Sequence, residues 1–288
     1  MKKLIDVIKD AERAKKAVGH FNISDISAFL AIWKAARDLN VPVVIGISEG
    51  EREFIGVSEA TALVRSVRDE HKYPIFLNAD HTYSLDKIKE AVIGGCDSVI
   101  FDGAKLPFEE NVARTKEVVE YVKSHDSNIL VEAELGYIGQ SSKVLDAIPE
   151  GAAQGLSLTT AKEAKQFVDA TGIDMLAPAV GNIHGMLKNV PEPRLNIERI
   201  REIKQAVKIP LVLHGASGNT AEDLIAAIHA GISMIHINTE IRVAWKKGME
   251  EALKEKPDEV APYKFLARSE DEVYKVVLEK LKIFSGLK

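Results

Sequence analysis

Eight short runs rich in Val, Ile, Leu and Phe recur along this chain. Each is followed by a longer segment in which apolar residues return every three or four positions. The runs are AVGHFNI (17–23), VPVVIGIS (41–48), YPIFLNAD (73–80), SVIFD (98–102), NILVEAELG (128–136), DMLAPAVG (174–181), PLVLHGAS (210–217) and MIHINTE (234–240). Their near-continuous apolar character suits strands covered on both faces, as in parallel sheets flanked by helices. Helical spacing is clear in 24–40, 84–95, 108–125 and 220–231, with Ser24, Ser84 and Thr220 as expected N-caps and glycines as natural stops.

Eight strand-then-helix units predict an α/β chain folded as one (β/α)8 TIM barrel over residues 1–288. An extra N-terminal helix comes from MKKLIDVIKDAERAKK, and the tail from Lys254 reads as a turn and a closing helix. A doubly wound open sheet is the alternative, but it usually carries G-x-G-x-x-G after the first strand, where this chain has HFNISD. Two connections are long for a barrel, 136–160 and 180–196, and long Gly- and Pro-bearing loops at that end are usually lids or binding loops.

The formal charge is −5, and its 38 basic and 43 acidic residues are interspersed, so neither nucleic acid nor a membrane is expected as a partner. No apolar stretch nears the roughly 20 residues that span a bilayer. Cys96 is the one cysteine, so no internal disulfide can form, which suits a reducing cytoplasm; it is read as inert filler. A small-molecule role follows.

In a barrel of this kind the reactive groups lie at the C-terminal ends of the strands. Those ends present Asn22, Ser48, Asp80 with His81, Asp102, Glu134, the Gly181–Gly185 turn with His184, His214 with Gly215 and Ser217, and Asn238 with Thr239. Three imidazoles from separate elements, His81, His184 and His214, suit zinc with a fourth position open to substrate. Asp80, beside a proposed ligand, is the best acid–base candidate, with orientation of His81 as the alternative role. The turns after the seventh and eighth runs offer backbone N–H groups where barrels often bind phosphate. His20, His71, His125 and His229 are read as structural or solvated, and His236 as core.

The runs NADHTYSLDKIKEAVIGGCDSVIFDGAKLPFEEN, VEAELGYIG, GNIHGMLK, LVLHGASG and HINTEIR resemble, in order and over nearly the whole chain, the class II zinc-dependent ketose-bisphosphate aldolases that cleave fructose or tagatose bisphosphate. The resemblance implies zinc on His81, His184 and His214, with Glu134 close by as an alternate ligand, and Asp80 as the acid–base group. It also implies Asn22 and Ser48 in the pocket, with Gly181, Gly215, Ser217, Asn238 and Thr239 around the first phosphate and a monovalent cation near it. The implied activity is reversible cleavage of a ketose 1-phosphate or 1,6-bisphosphate to dihydroxyacetone phosphate and an aldehyde, through a zinc-stabilised enediolate. A cytoplasmic glycolytic role as a homodimer or homotetramer goes with it.

Four positions depart from the family pattern. Asn78-Ala79 stand where the family often has His-Leu before Asp-His, and Thr239 stands where an aspartate is frequent. The loop GQSSKVLDAIPEG lacks the usual glutamate that moves the proton on the enolisable carbon, leaving Asp146 or Glu150 to substitute. The arginine expected at the distal phosphate aligns one position from Arg268. The distal end of the substrate is therefore expected to be recognised differently. Two rivals are a zinc hydrolase, which would usually show His-x-His where the first run reads His-Phe-Asn, and a non-catalytic aldolase-like subunit, against which the retained histidines and Asp80 argue.

Overall fold

The computed structural model describes residues 2–139, 142–150, 158–188 and 190–287. The chain begins with α1 (Leu4–Arg13), β1 (Val18–Asn22), α2 (Ile26–Leu39) and β2 (Val43–Ile47), followed by α3 (Glu49–Ile55) and α4 (Val57–His71). It continues through β3 (Ile75–Thr82), α5 (Leu85–Gly94), β4 (Ser98–Phe101), α6 (Phe108–His125) and β5 (Leu130–Leu135). Then come β6 (Val144–Leu145), α7 (Ala161–Thr171), β7 (Met175–Pro178), β8 (Met186–Leu187), α8 (Ile197–Val207) and β9 (Leu211–Leu213). The last elements are α9 (Ala221–Ala230), β10 (Ile232–Ile237), α10 (Thr239–Glu255) and α11 (Pro262–Ser285).

Eight strands close into a barrel in the order β1-β10-β9-β7-β5-β4-β3-β2, every pair parallel, as the eight apolar runs predict. The remaining two, β6 and β8, pair with each other outside it. Residues 49–71, for which no helix is named from the sequence, form two, broken at Gly56 with φ of 94°. The N-cap of α2 is Asp25 rather than Ser24: its carboxylate accepts from the Ala28 amide at 3.0 Å, and a carboxylate serves the positive end of a helix better than a hydroxyl. Ser84 and Thr220 cap α5 and α9 as expected.

Because side chains alternate across a strand, the barrel interior is filled in layers. The lowest layer is apolar, with Val18, Val44, Phe76, Leu130, Met175, Val212 and Met234 packed into one cluster with Leu4, Val7 and Ile8 of α1. Their spacing places those three side chains on one face of α1, which seals the N-terminal end of the barrel. Two residues further along, five of these seven strands turn polar, with His20, Asn78, Glu132, His214 and His236 all buried, while β2 and β7 present Gly46 and Ala177. One more step reaches Asn22, Asp80 and Glu134 at the opposite end. The chain thus closes the barrel at one end with hydrocarbon and concentrates its buried charge at the other. No helix among the described residues is long and apolar enough to cross a membrane.

Candidate metal centre and pocket

Asp80 faces inward by strand parity, so its neighbour His81 should face the helices. A register irregularity between Ala79 and Thr82, with φ of 36° at His81, turns that side chain to the barrel mouth instead. There His81 Nε2 lies 3.3 Å from His214 Nδ1. Two nitrogens on one tetrahedral zinc, each about 2.05 Å from the ion, stand about 3.3 Å apart. Each ring is held by its other nitrogen: His81 Nδ1 by Asp102 Oδ2 at 3.1 Å, and His214 Nε2 by Glu132 Oε1 at 2.6 Å. A carboxylate behind a ligating imidazole fixes its tautomer and raises its basicity.

His184 and Glu134 complete the group. Glu134 Oε1 lies 2.9 Å from His214 Nδ1, 3.1 Å from His81 Nδ1 and 4.0 Å from His184 Nε2. One ligand atom from each of the four residues falls within 4.8 Å of all the others. His184 Nε2 is buried without a hydrogen-bond partner among the described residues, and Glu134 Oε1, though close to two imidazole nitrogens, is aligned for a hydrogen bond with neither. Orphaned buried polar atoms are costly, and a divalent cation would satisfy both. All but one of the buried side-chain atoms in that condition, Asn219 Oδ1, belong to this end of the barrel. The donor set fits zinc.

Protonation follows the same logic. Burial works against a charged His81, but Asp80, Glu134 and Asp102 outweigh it and push the imidazole up to about 9. For His214 burial again opposes charge, and Glu134 and Glu132 hold it well above its ordinary value. Burial and the two neighbouring rings keep His184 well below its own. The carboxylates are thus neutralised by imidazolium protons that a metal would displace on binding. Burial of Asp80 favours its neutral form, yet His81, His236 and His20 hold the carboxyl well below the usual range, so it stands as the anion. Asn22 Nδ2 donates to Asp80 Oδ2 at 2.9 Å and to Glu51 Oε2 at 2.8 Å.

Beside this cluster opens a cavity of about 410 Å³ lined by Ser48, Glu49, Gly50, His81, Tyr83, Asp102, Ser142, Lys143, His184, Asn238 and Arg242. A smaller space brings Asn22, Asp80, His81, His184 and His214 together with Gly215, Ser217, Asn238, Thr239 and His236. The structure therefore gathers the sequence-predicted residues apart from Gly181, Arg268, Asp146 and Glu150. Gly181 lines neither space: it packs on Arg194–Asn196, where a Cβ would stand 2.7 Å from a backbone oxygen. Arg268 pairs with Glu251 at 2.8 Å across α10 and α11 and does not reach the cavity. Asp146 and Glu150 are also absent from the lining, where their loop contributes Ser142 and Lys143. At Gly215, φ is 58° and a Cβ would lie 2.2 Å from the Ile183 oxygen, so this glycine lets the β9 loop close on the His184 turn.

Sequence reasoning missed Glu51, Arg52, Glu132 and the roles of His20 and His236. Parity was the signal available for three of them, since His20, Glu132 and His236 each precede a strand-end polar residue by two positions. Glu51 and Arg52 carried none, being on a helix whose docking the spacing does not reveal.

Residues 2–287 match the family model described as fructose-bisphosphate aldolase class-II. A fructose-bisphosphate aldolase of Geobacillus stearothermophilus is 36% identical over 284 residues, covering 98% of this chain and 96% of its own. One from Staphylococcus aureus strain Mu50 is 36% identical over 283 residues, covering 97% and 95%. The crystal structure of the YdjI aldolase from Escherichia coli K12 superposes with a TM-score of 0.81 at 31% identity, over 98% of this chain and 96% of that one. These likenesses favour neither the hydrolase nor the silent-subunit alternative. With a metal-competent histidine cluster and a held carboxylate at the mouth of a closed barrel, the chain belongs to the class II fructose-bisphosphate aldolase family.

Proposed function

We propose that the protein is a zinc-dependent aldolase that reversibly cleaves a ketose 1-phosphate to dihydroxyacetone phosphate and an aldehyde, with a distal substrate end recognised differently from that of fructose 1,6-bisphosphate. The observation that carries the reading is the Asp80 carboxylate beside the His81, His184, His214 and Glu134 cluster, its Oδ1 lying 3.8 Å from His81 Nε2. Zinc held there supplies Lewis-acid polarisation of the ketose carbonyl and stabilises negative charge left when the carbon–carbon bond breaks. Asp80, anionic and fixed by Asn22, takes the proton from the hydroxyl that becomes the aldehyde oxygen and returns it in condensation. The proton on the enolisable carbon is a separate transfer; Asp146 and Glu150, expected from the sequence to make it, stand outside the cavity lining described above.

Gly215, Ser217, Asn238 and Thr239 are read as the first phosphate's surroundings, supported by their place in the cavity beside the cluster. The Gly218 amide is engaged by Glu240 at 2.6 Å, which leaves the cradle to its neighbours. The cavity wall also offers Tyr83, Lys143 and Arg242, the last paired with Glu51, and Arg268 is tied elsewhere. A monovalent cation near the phosphate is part of the same reading, tested by the potassium dependence of turnover. A homodimer or homotetramer belongs to the same reading, and light scattering would measure it.

The deciding experiment assays a panel of ketose mono- and bisphosphates for release of dihydroxyacetone phosphate, with and without a chelator. Chelator-sensitive release, greater from a 1-phosphate with another distal group than from fructose 1,6-bisphosphate, is the expected result. Release that ignores the chelator would sink the metal reading, and fructose 1,6-bisphosphate as the best substrate would sink the distal one.

A further inference from the structure

Beneath Asp80 lies a buried imidazole pair that the reaction described so far does not use. His20 of β1 and His236 of β10 are register partners, and their rings stack with centroids 3.5 Å apart and planes within 2°. The other neighbour of the His236 ring is His214, at 4.1 Å and 26°. Stacked on two rings, His236 has little freedom to tilt, and its Nδ1 edge stands 3.4 Å from Asp80 Oδ1. Neither atom has a hydrogen-bond partner among the described residues. An ionised carboxylate can only accept, so the tautomer suited to this site carries its proton on Nδ1.

The ring behind is fixed as well. His20 Nε2 faces Asn78 Oδ1 at 3.1 Å, and the Asn78 amide donates to Ser98 Oγ at 2.7 Å. Gly46 of β2 makes the room, because a Cβ there would lie 2.1 Å from His20 Cε1. Position 78, where the family often has histidine, is an amide in this chain, and the structure brings imidazoles to its neighbourhood from β1 and β10 instead.

We propose that His236, backed by the stacked His20, is a positioning residue that holds Asp80 Oδ1 from inside the barrel while Asn22 holds Oδ2. The carboxylate is then gripped at both oxygens and keeps one orientation toward the substrate hydroxyl. Such orientation governs the proton transfer at oxygen and leaves the transfer at carbon untouched. This assignment rests on the aldolase reading above, and the two fail differently. If the wild-type protein releases no dihydroxyacetone phosphate from any ketose phosphate, the reaction is wrong; the comparison below presupposes that it does.

The test compares His236→Leu, which removes the N–H, with His236→Asn, which places an amide N–H near the reach of Nδ1. Metal content, cleavage kcat and KM, and deuterium exchange into dihydroxyacetone phosphate alone are measured on each. His236→Leu should keep its metal and hold KM within about threefold, while cleavage kcat drops about 30-fold and deuterium exchange stays within about threefold. His236→Asn should recover at least tenfold of that loss. Equal loss of cleavage and exchange, loss that tracks metal content, or no change in kcat would overturn the assignment. Should His236→Leu not fold, His236→Asn against His236→Gln decides, since Gln extends its amide toward the Nε2 position: Asn must be at least tenfold the more active, and equal activity overturns the proposal.

Discussion

The guanidinium of Arg52 holds the backbone carbonyl of Asp80 at 3.0 Å. The same side chain donates to Thr82 Oγ1 at 3.0 Å and to the Ile47 carbonyl at 2.6 Å, so it grips both residues flanking His81 and ties them to β2. A non-glycine residue at positive φ costs on the order of 1–3 kcal/mol and persists only where its surroundings over-determine it. Arg52→Met should therefore weaken zinc binding about tenfold or more and destabilise the fold by about 1–3 kcal/mol. Competition titration with a zinc chelator and thermal unfolding read both; unchanged metal affinity would show that His81 holds its own conformation.

Removing His184 or His214 as Ala should abolish most bound metal and activity together, measured by elemental analysis of purified protein. Glu132→Gln is subtler, because Glu132 touches the metal only through His214 Nε2. Loss of such a partner typically lowers metal affinity about 10- to 100-fold. Full occupancy in both histidine variants would refute the centre.

Asp80→Asn keeps the shape of the side chain and removes its capacity to take a proton. Zinc should be retained and turnover should fall by roughly two to four orders of magnitude, the range for a positioned proton-transfer group. Near-normal turnover would leave Asp80 with only an orienting role beside His81.

The metal-free protein should lose stability in mild acid through His20. Burial pushes this imidazole down to about 4, against the pull of Asp80. The folded chain then binds fewer protons than the unfolded one between about 4 and 6.5, so stability is full above that window, falls as pH drops through it, and levels off below it. At pH 5 the contribution is about 2 kcal/mol relative to pH 8. His20→Gln should lack that part of the slope in chemical unfolding at the two pH values, and parallel slopes would assign the acid sensitivity elsewhere.

Cys96 is buried, and burial pushes its thiol up to about 12, with Arg52 only partly opposing. At pH 8 almost no thiolate exists, so a disulfide reagent should leave native Cys96 unmodified for hours and react at once in denaturant. Rapid modification of the native protein would mean that the α5–β4 corner opens.

Much of the fold was legible because a barrel strand buried on both faces writes itself as an apolar run, and the turn to polar residues at its C-terminal end marks the mouth. His81, His184, His214 and Asp80 were readable for that reason. Less legible were groups whose position depends on register between distant strands, since nothing local tells that His20 and His236 face each other across 216 residues of chain (236 − 20). Asp25 displaced Ser24 as a cap because adjacent polar residues compete and only the backbone decides. Gly181 keeps its turn at positive φ, and its packing against Arg194–Asn196 is a contact that no local pattern announces.

The small β6–β8 pairing joins the connection after β5 to the segment that follows His184, through the Met186 amide to Lys143 oxygen at 3.0 Å and the Lys188 amide to Leu145 oxygen at 2.9 Å. Lys143 of the cavity wall and His184, the proposed metal ligand, are thereby mounted on one lever. If the loop recognises the aldehyde and His184 holds zinc, as proposed, a mutation that reshapes the one would also tug on the other, and substrate range and zinc retention would have to be evolved together.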